Sequence, residues 1–196
     1  VHFMDDEQYR DAALGDPGDE ADGSDAELTD GAGQDLAVFR ALGLIEGEPD
    51  LDAANDELWA EGTAAFYDPN LDEIVVKGEP GADGELELEL QLTVVHELTH
   101  ALQHQVVDLE DLYGPLDRED EDTTEQSDAR LAVIEGDATL VERAFAASLS
   151  PDQLDELESS ATGSYEASQS ELERSGVPDV LRAMLGLPYE LGPSWV

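Results

Sequence analysis

His96, Glu97 and His100 form the clearest chemical pattern in this chain, the stretch "HELTH". On a helix, His96 and His100 lie one turn apart on the same side, which is the spacing of two ligands for one tetrahedral Zn²⁺. Glu97 is rotated by about 100° around the helix, where its carboxylate can act as a base on water at the metal without binding the ion. The alternative interpretation is a pair of surface histidines on an amphipathic helix.

A catalytic zinc site also needs a third protein ligand and an open fourth position. His104 follows His100 by four residues. However, about 12 Å of helical rise separates His96 from His104, which is too far for one ion. The histidine that a metzincin pattern would require is replaced by Val106. We therefore expect His104 to lie at the rim of the site or against a ligand side chain, or to be a plain surface histidine.

A second apolar segment supplies a better third ligand. Asp128, Glu135 and Glu142 recur every seven residues and share one helix face, and the small residues Gly136 and Ala138 allow another helix to approach closely. We expect Glu135 to be the ligand. Glu142 is the alternative ligand or, with Glu135 on the metal, either a partner of a ligand histidine or an exposed carboxylate.

The apolar periodicity and the turn residues predict the elements that hold these side chains. We expect an α+β fold in which a small antiparallel sheet lies over the two metal-bearing helices and C-terminal helices close the other side. The stripe of Leu92, Val95, Leu102 and Val106 is predicted to be core. The predicted elements are a helix at 35–45, a β-hairpin at 64–77, a helix at 88–107, a helix from an N-cap at Ser127, a short helix after Ser150, and a helix in 177–186 closed by Gly186 and Pro188.

The whole chain, residues 1–196, is expected to form a single domain, because 196 residues with 40% hydrophobic residues can build one core. Two acidic stretches interrupt the pattern. We interpret 15–34, rich in Gly and Asp, as a flexible insertion, and 115–126 as an acidic surface loop.

The charge of the chain restricts its partners and its environment. Lys and Arg total 8 against 50 Asp and Glu, so the formal net charge is −42, and Lys77 is the single lysine. Nucleic acid is therefore an unfavourable partner, since phosphates require clustered cations. Such a composition is typical of proteins adapted to molar salt, where the screening length falls to about 3 Å and self-repulsion fades. An acidic protein of an ordinary bacterium and a largely disordered acidic chain are the alternatives, although periodic apolar helices speak against disorder.

Other composition features narrow the chemistry further. The chain has no cysteine, which excludes disulfides and thiolate metal ligands. No apolar run approaches 18 residues, so we expect no membrane span in this chain, and the N-terminal "VHFMDDEQYRD" lacks the features of a signal peptide. We expect a protein of a high-salt organism, with both a cytoplasmic and an extracytoplasmic location open.

Four stretches together resemble a known family: "FYDPNLDEIVVKG", "VVHELTHALQHQ", "IEGDATLVE" and "LPYELG". They are similar to the gluzincin (thermolysin-type) zinc metallopeptidases, and in particular to minimal zincin-like members from salt-loving archaea and actinobacteria. The resemblance covers positions 37–195. It implies His96, His100 and Glu135 as ligands of Zn²⁺ and Glu97 as the catalytic base. The family usually has Asp at the position of His104 and Gly at that of Ala65.

The expected function is zinc-dependent hydrolysis of a peptide bond in a peptide or protein substrate. An edge strand such as 73–77 could align an extended peptide. Candidate oxyanion donors are Tyr67, Tyr113, Tyr165 and His2, each of which a structural role explains equally well. The alternative is a catalytically inactive zincin-like domain with a structural metal or a peptide-binding or sensing role. An intact Glu97 favours the enzyme, because a structural site needs no base.

Overall fold

The architecture is known from a computed structural model, which shows an α+β fold. The proposed insertion at 15–34 lies outside the described residues, as does the acidic loop up to residue 123. Residues 124–126, predicted as the end of that loop, are helical. The structure describes residues 1–14, 36–80, 84–107, 109 and 124–196.

A three-stranded sheet contains β1 (His2–Met4), β2 (Ala65–Asp68) and β3 (Glu73–Lys77) in the order β1-β3-β2. The predicted hairpin is confirmed, since β2 and β3 pair antiparallel with Phe66 opposite Val75. The expectation of a purely antiparallel sheet is wrong, because β1 pairs parallel with β3. β1 has only three residues, which are too few to show a detectable alternation of polar and apolar side chains. Its parallel partner lies far along the chain, because parallel strands require a long crossover connection.

The expected peptide-aligning strand at 73–77 does not lie at an edge. β3 is the central strand and pairs with β1 on one side and β2 on the other. Its Ile74, Val75 and Val76 are all buried, as expected for a strand covered on both faces. Within the described sheet the edges belong to β1 and β2, so an added peptide strand could pair only there.

Helices make up most of the remaining described chain. Residues 36–41 are also helical, within the helix predicted at 35–45. The main helices are α1 (Asp6–Leu14), α2 (Leu51–Gly62), α3 (Leu88–His104), α4 (Thr124–Ala146), α5 (Pro151–Ser175) and α6 (Asp179–Leu191), and a 3₁₀ turn follows at Gly192–Ser194.

Three predicted helix limits are wrong. α4 begins at Thr124, so Ser127 lies inside the helix rather than at its N-cap. α5 does begin after a Ser150 cap with a capping box, but it is 25 residues long rather than short, and it ends where Gly176 adopts a φ of 80°. α6 continues through Pro188 and ends at Leu191. A proline removes only one backbone donor, and the packing of α6 on α4 stabilises the helix beyond it.

Two clusters of buried side chains hold the elements together. Beneath the sheet, Ala65, Ile74 and Val76 pack with Val94 of α3. A second cluster joins α2 to α5 and the start of α6 through Leu58, Leu172 and Val177, with Leu181 and Leu185 packed against them. The sheet thus lies against α3, and α4 packs on α3 and on α6.

The predicted core stripe of α3 is wrong in its C-terminal half. Leu102 is 60% exposed and Val106 is 81% exposed, while Leu92 and Val95 are half-buried. The sheet and α4 cover a different face of α3, which carries the polar motif residues. No helix in the described part of the chain combines the length and the apolar character needed to cross a lipid bilayer.

Candidate metal centre

The buried face of α3 carries the chemical motif. His96, Glu97, Thr99 and His100 are all buried, with both histidines at most 7% exposed. The interpretation as surface histidines is therefore wrong. Polar side chains occupy this covered face because β2 and α4 pack against it and supply polar partners.

α4 places Glu135 against both histidines. Its Oε2 lies 3.0 Å from Nε2 of His96 and 3.4 Å from Nε2 of His100. One donor atom from each residue lies within 4.8 Å of the other two, and all three residues are buried. The structure therefore brings together the three side chains that the sequence suggested as ligands.

The donor set fits a zinc ion. Ligand bonds of about 2.0–2.1 Å in a tetrahedron place neighbouring donor atoms about 3.3 Å apart. The 3.0 and 3.4 Å separations from Oε2 of Glu135 are close to that value, and every pair of the three donor atoms lies within 4.8 Å. The set consists of two imidazoles and one carboxylate, which are donor types that zinc accepts.

Each histidine is oriented by a partner on its other nitrogen. Nδ1 of His96 lies 3.3 Å from Oε2 of Glu142, and Nδ1 of His100 lies 2.9 Å from Oε1 of Gln103. Both oxygens accept hydrogen bonds, so both Nδ1 atoms donate and both Nε2 atoms face Glu135. Glu142 thus lies in the position of a histidine partner rather than of a third ligand.

Gln103 and its own contacts were not anticipated from the sequence. Its side-chain amide donates to the carbonyl of Ile134, at 3.1 Å, and to Oδ2 of Asp137, at 2.9 Å. The amide therefore links His100 on α3 to the backbone and to a carboxylate of α4. The available signal was its position three residues after His100, one turn further along the helix.

The electrostatics of the three residues favour a cation between them. Burial acts against the charged form of each group, but the mutual hydrogen bonds outweigh it. They hold the pKa of Glu135 at about 2, and with Glu142 they raise the pKa of His96 to about 9. The pKa of His100 is raised for the same reason. The raised histidine pKa values and the lowered pKa of Glu135 both mean that positive charge is favoured among these three side chains.

Glu97 is a fourth buried group outside this set. Burial raises its pKa, and the charge of Glu135 adds to the effect. The neighbouring imidazoles of His100 and His96 and a hydrogen bond from the backbone of Tyr67 act in the opposite direction. The bond from Tyr67 anchors the carboxylate between α3 and the edge strand β2, so Glu97 is held beside the metal group without belonging to it.

His104 has contacts other than the metal group. Its Nδ1 accepts a hydrogen bond from the backbone N–H of Leu109 at 3.2 Å, and its ring centroid lies 5.9 Å from that of Tyr67. The hydroxyl of Tyr67 donates to Asp72 at 2.8 Å, and burial together with that carboxylate raises the pKa of Tyr67 to about 12. These contacts stabilise the end of α3 and the hairpin.

The other expected oxyanion donors lie elsewhere. His2 pairs with Glu73 across the sheet at 2.9 Å, Tyr165 is 66% exposed on α5, and Tyr113 lies outside the described residues. A different tyrosine contacts His96. The ring centroid of Tyr189 is 5.7 Å from that of His96, and "LPYELG" was the sequence signal for it.

Comparisons with known protein families, curated proteins and solved structures found no match for this chain. The function of the chain must therefore be inferred from the site and from the family that its motifs resemble.

Proposed function

We propose that the chain is a zinc-dependent metallopeptidase with a zincin-like arrangement of the gluzincin type. The observation that carries the proposal is the position of Glu97, a buried carboxylate beside a three-donor metal group and outside it. A structural metal site has no use for such a group, because burying an additional carboxylate is costly. Its raised pKa suits a residue that accepts and then returns a proton.

Different residues of the chain have different roles in the proposed hydrolysis. His96, His100 and Glu135 would hold the metal, and a bound zinc ion supplies Lewis-acid polarisation and lowers the pKa of water toward about 7. Glu97 accepts the proton of the water whose oxygen attacks the scissile carbonyl carbon. When the carbon–nitrogen bond breaks, Glu97 donates that proton to the leaving amine.

Tyr189 is the proposed donor to the carbonyl oxygen as negative charge develops there. This role is supported by the contact between the rings of Tyr189 and His96. In the described structure, the tyrosines predicted from the sequence do not make such a contact, and the hydroxyl of Tyr67 bonds to Asp72 instead. A peptide would approach along β2, an edge strand of the described sheet, since Tyr67 in that strand lies next to Glu97.

The substitution Glu97→Gln tests the proposal. It keeps the size of the side chain and leaves the metal-binding atoms in place, so zinc content should stay near wild type. Hydrolysis of a fluorescently quenched casein in molar salt should fall by about 10²–10⁴-fold, the usual contribution of a general base. Glu85→Gln removes one carboxylate from an exposed site just before α3 and should change neither quantity.

Two results would contradict the peptidase. Hydrolysis that survives in Glu97→Gln would show that Glu97 is not the base. Zinc in the wild type without cleavage of casein or of peptides would favour the inactive zincin-like domain with a structural or peptide-sensing role.

A further inference from the structure

A cavity of about 560 Å³ lies where the end of α2 meets α5 and α6. Gly62 and Thr63 form one wall, and Gln169 of α5 and Arg182 and Tyr189 of α6 form others. The volume is sufficient for one or two amino-acid residues of a peptide.

The cavity adjoins the three-residue group of His96, His100 and Glu135 through the wall formed by Tyr189. The ring of Tyr189 contacts that of His96 at 5.7 Å between centroids. On the other wall, Oγ1 of Thr63 shares a hydrogen bond of 2.8 Å with the hydroxyl of Tyr9, whose pKa is raised to about 12, mainly by burial and also by the charge of Glu97. A group in the cavity would therefore lie next to Tyr189, whose ring contacts the proposed ligand His96.

Arg182 gives the cavity a buried cation. Its side chain is only 14% exposed. One terminal nitrogen donates to Oε1 of Gln169 at 2.6 Å and the other pairs with Asp179. Its Nε is buried, and no residue in the described ranges accepts a hydrogen bond from it. Since a guanidinium carries five N–H donors, these two bonds leave capacity for a further acceptor.

The contacts of Arg182 offset its charge only in part. Gln169 is uncharged, and the side chain of Asp179 is 89% exposed, so solvent weakens that pairing. Among the described residues that line the cavity, Arg182 is the one cation, and the carboxylates of Asp179 and Glu190 compete with an anionic ligand for it. Guanidinium donors match the two oxygens of a carboxylate in geometry and charge.

We propose that this cavity binds a carboxylate group of the peptide through Arg182, either a free C-terminal carboxylate or an Asp or Glu side chain. As a substrate preference the inference rests on the proposed peptidase function. The binding event itself requires only Arg182 and the cavity, so it can be measured apart from hydrolysis and apart from zinc.

The experiment is calorimetric titration of Glu97→Gln protein, both metal-free and zinc-loaded, with three peptides. They are acetyl-Ala-Ala-Ala-amide, the same peptide with a free C-terminus, and acetyl-Ala-Glu-Ala-amide. At least one acid should bind about tenfold more tightly than the neutral amide in both forms of the protein. Which acid does so distinguishes a terminal carboxylate from an acidic side chain.

Substitutions on the same background assign the preference to Arg182. Arg182→Gln should reduce the ratio of affinities to below about twofold, and Arg182→Lys, which keeps the charge, should retain part of it. Arg174→Gln removes the same charge from an exposed position on α5 and should leave the ratio unchanged. Asp179→Asn removes a competing carboxylate and should strengthen binding of the acid.

Equal affinity for acid and amide, or no binding of either acid, would overturn the carboxylate site. So would a preference that survives in Arg182→Gln or appears only with zinc, since the carboxylate would then be on the metal. These results are independent of the proposed function, whose failure would appear as absent zinc or absent hydrolysis in the protein with Glu97 intact.

Discussion

At the scale of single residues, Gln103 connects the metal group to the rest of the fold. Its Oε1 accepts from Nδ1 of His100, and its amide is fixed in turn by Ile134 and Asp137. The orientation of one proposed ligand therefore depends on an uncharged side chain that is held from a different helix.

Replacing Gln103 by Leu should weaken metal binding while the three ligands stay in place. We expect zinc affinity to fall by about 10–100-fold, because His100 loses the acceptor that orients its ring. Competition with a chromophoric chelator measures the affinity. The control is Gln105→Leu, an exposed glutamine at the end of α3. An unchanged affinity in Gln103→Leu, or an equal loss in both variants, would refute this role.

How well the site could be predicted from the sequence depends on how far apart its residues lie along the chain. His96, Glu97 and His100 lie on one helix, so their mutual geometry follows from helical spacing alone. Glu135 could be predicted as a ligand only by recognising a second helix and the small residues beside it. Gln103, Asp137 and Tyr189 were not foreseen, because their contacts depend on how α3, α4 and α6 cross, which spacing along one helix does not determine.

At the scale of elements, α4 and the 3₁₀ turn meet backbone to backbone. A Cβ built on Gly136 would lie 2.6 Å from the carbonyl oxygen of Gly192, and one built on Gly192 would lie 2.8 Å from the Cα of Gly136. The sequence prediction of a close approach at Gly136 is confirmed, although the approaching element is a turn rather than a helix. This contact lies directly beside Glu135.

Gly192→Ala should therefore destabilise the fold. The added methyl group meets backbone atoms that cannot rotate away, so we expect a loss of about 1–3 kcal/mol in the free energy of unfolding. Gly163→Ala is the matched control in the middle of α5, where nothing lies within 4 Å of the added Cβ. It should stabilise by about 0.5–1 kcal/mol. Urea unfolding in molar salt compares them, and equal effects would refute the close contact.

Elements with strong local signals were predictable, and those fixed by distant contacts were not. The hairpin was marked by the turn residues between its strands, and the start of α5 by the Ser150 cap. β1 pairs with a strand more than 70 residues later in the chain, and no local sequence pattern indicates that pairing. Leu102 was assigned to the core because an apolar period does not identify which face of a helix its neighbours cover.

At the scale of the whole molecule, the net charge of −42 is the dominant physical feature. Self-repulsion of this size opposes a compact state at low ionic strength. Raising KCl from 0.1 to about 2 M reduces the screening length from about 10 Å to below about 3 Å. We expect the thermal unfolding midpoint to rise steeply over this range, with choline chloride acting similarly if screening is the cause. A midpoint that is constant or falls with salt would contradict adaptation to high salt.

If His96, His100 and Glu135 hold one zinc ion, as proposed, the purified protein should contain it. Elemental analysis after purification in molar salt should find about one zinc per chain in the wild type and in His104→Ala, a control on the same helix. Glu135→Ala should have lost most of it. Absence of zinc from the wild type even after reloading, or equal zinc in Glu135→Ala, would contradict the account.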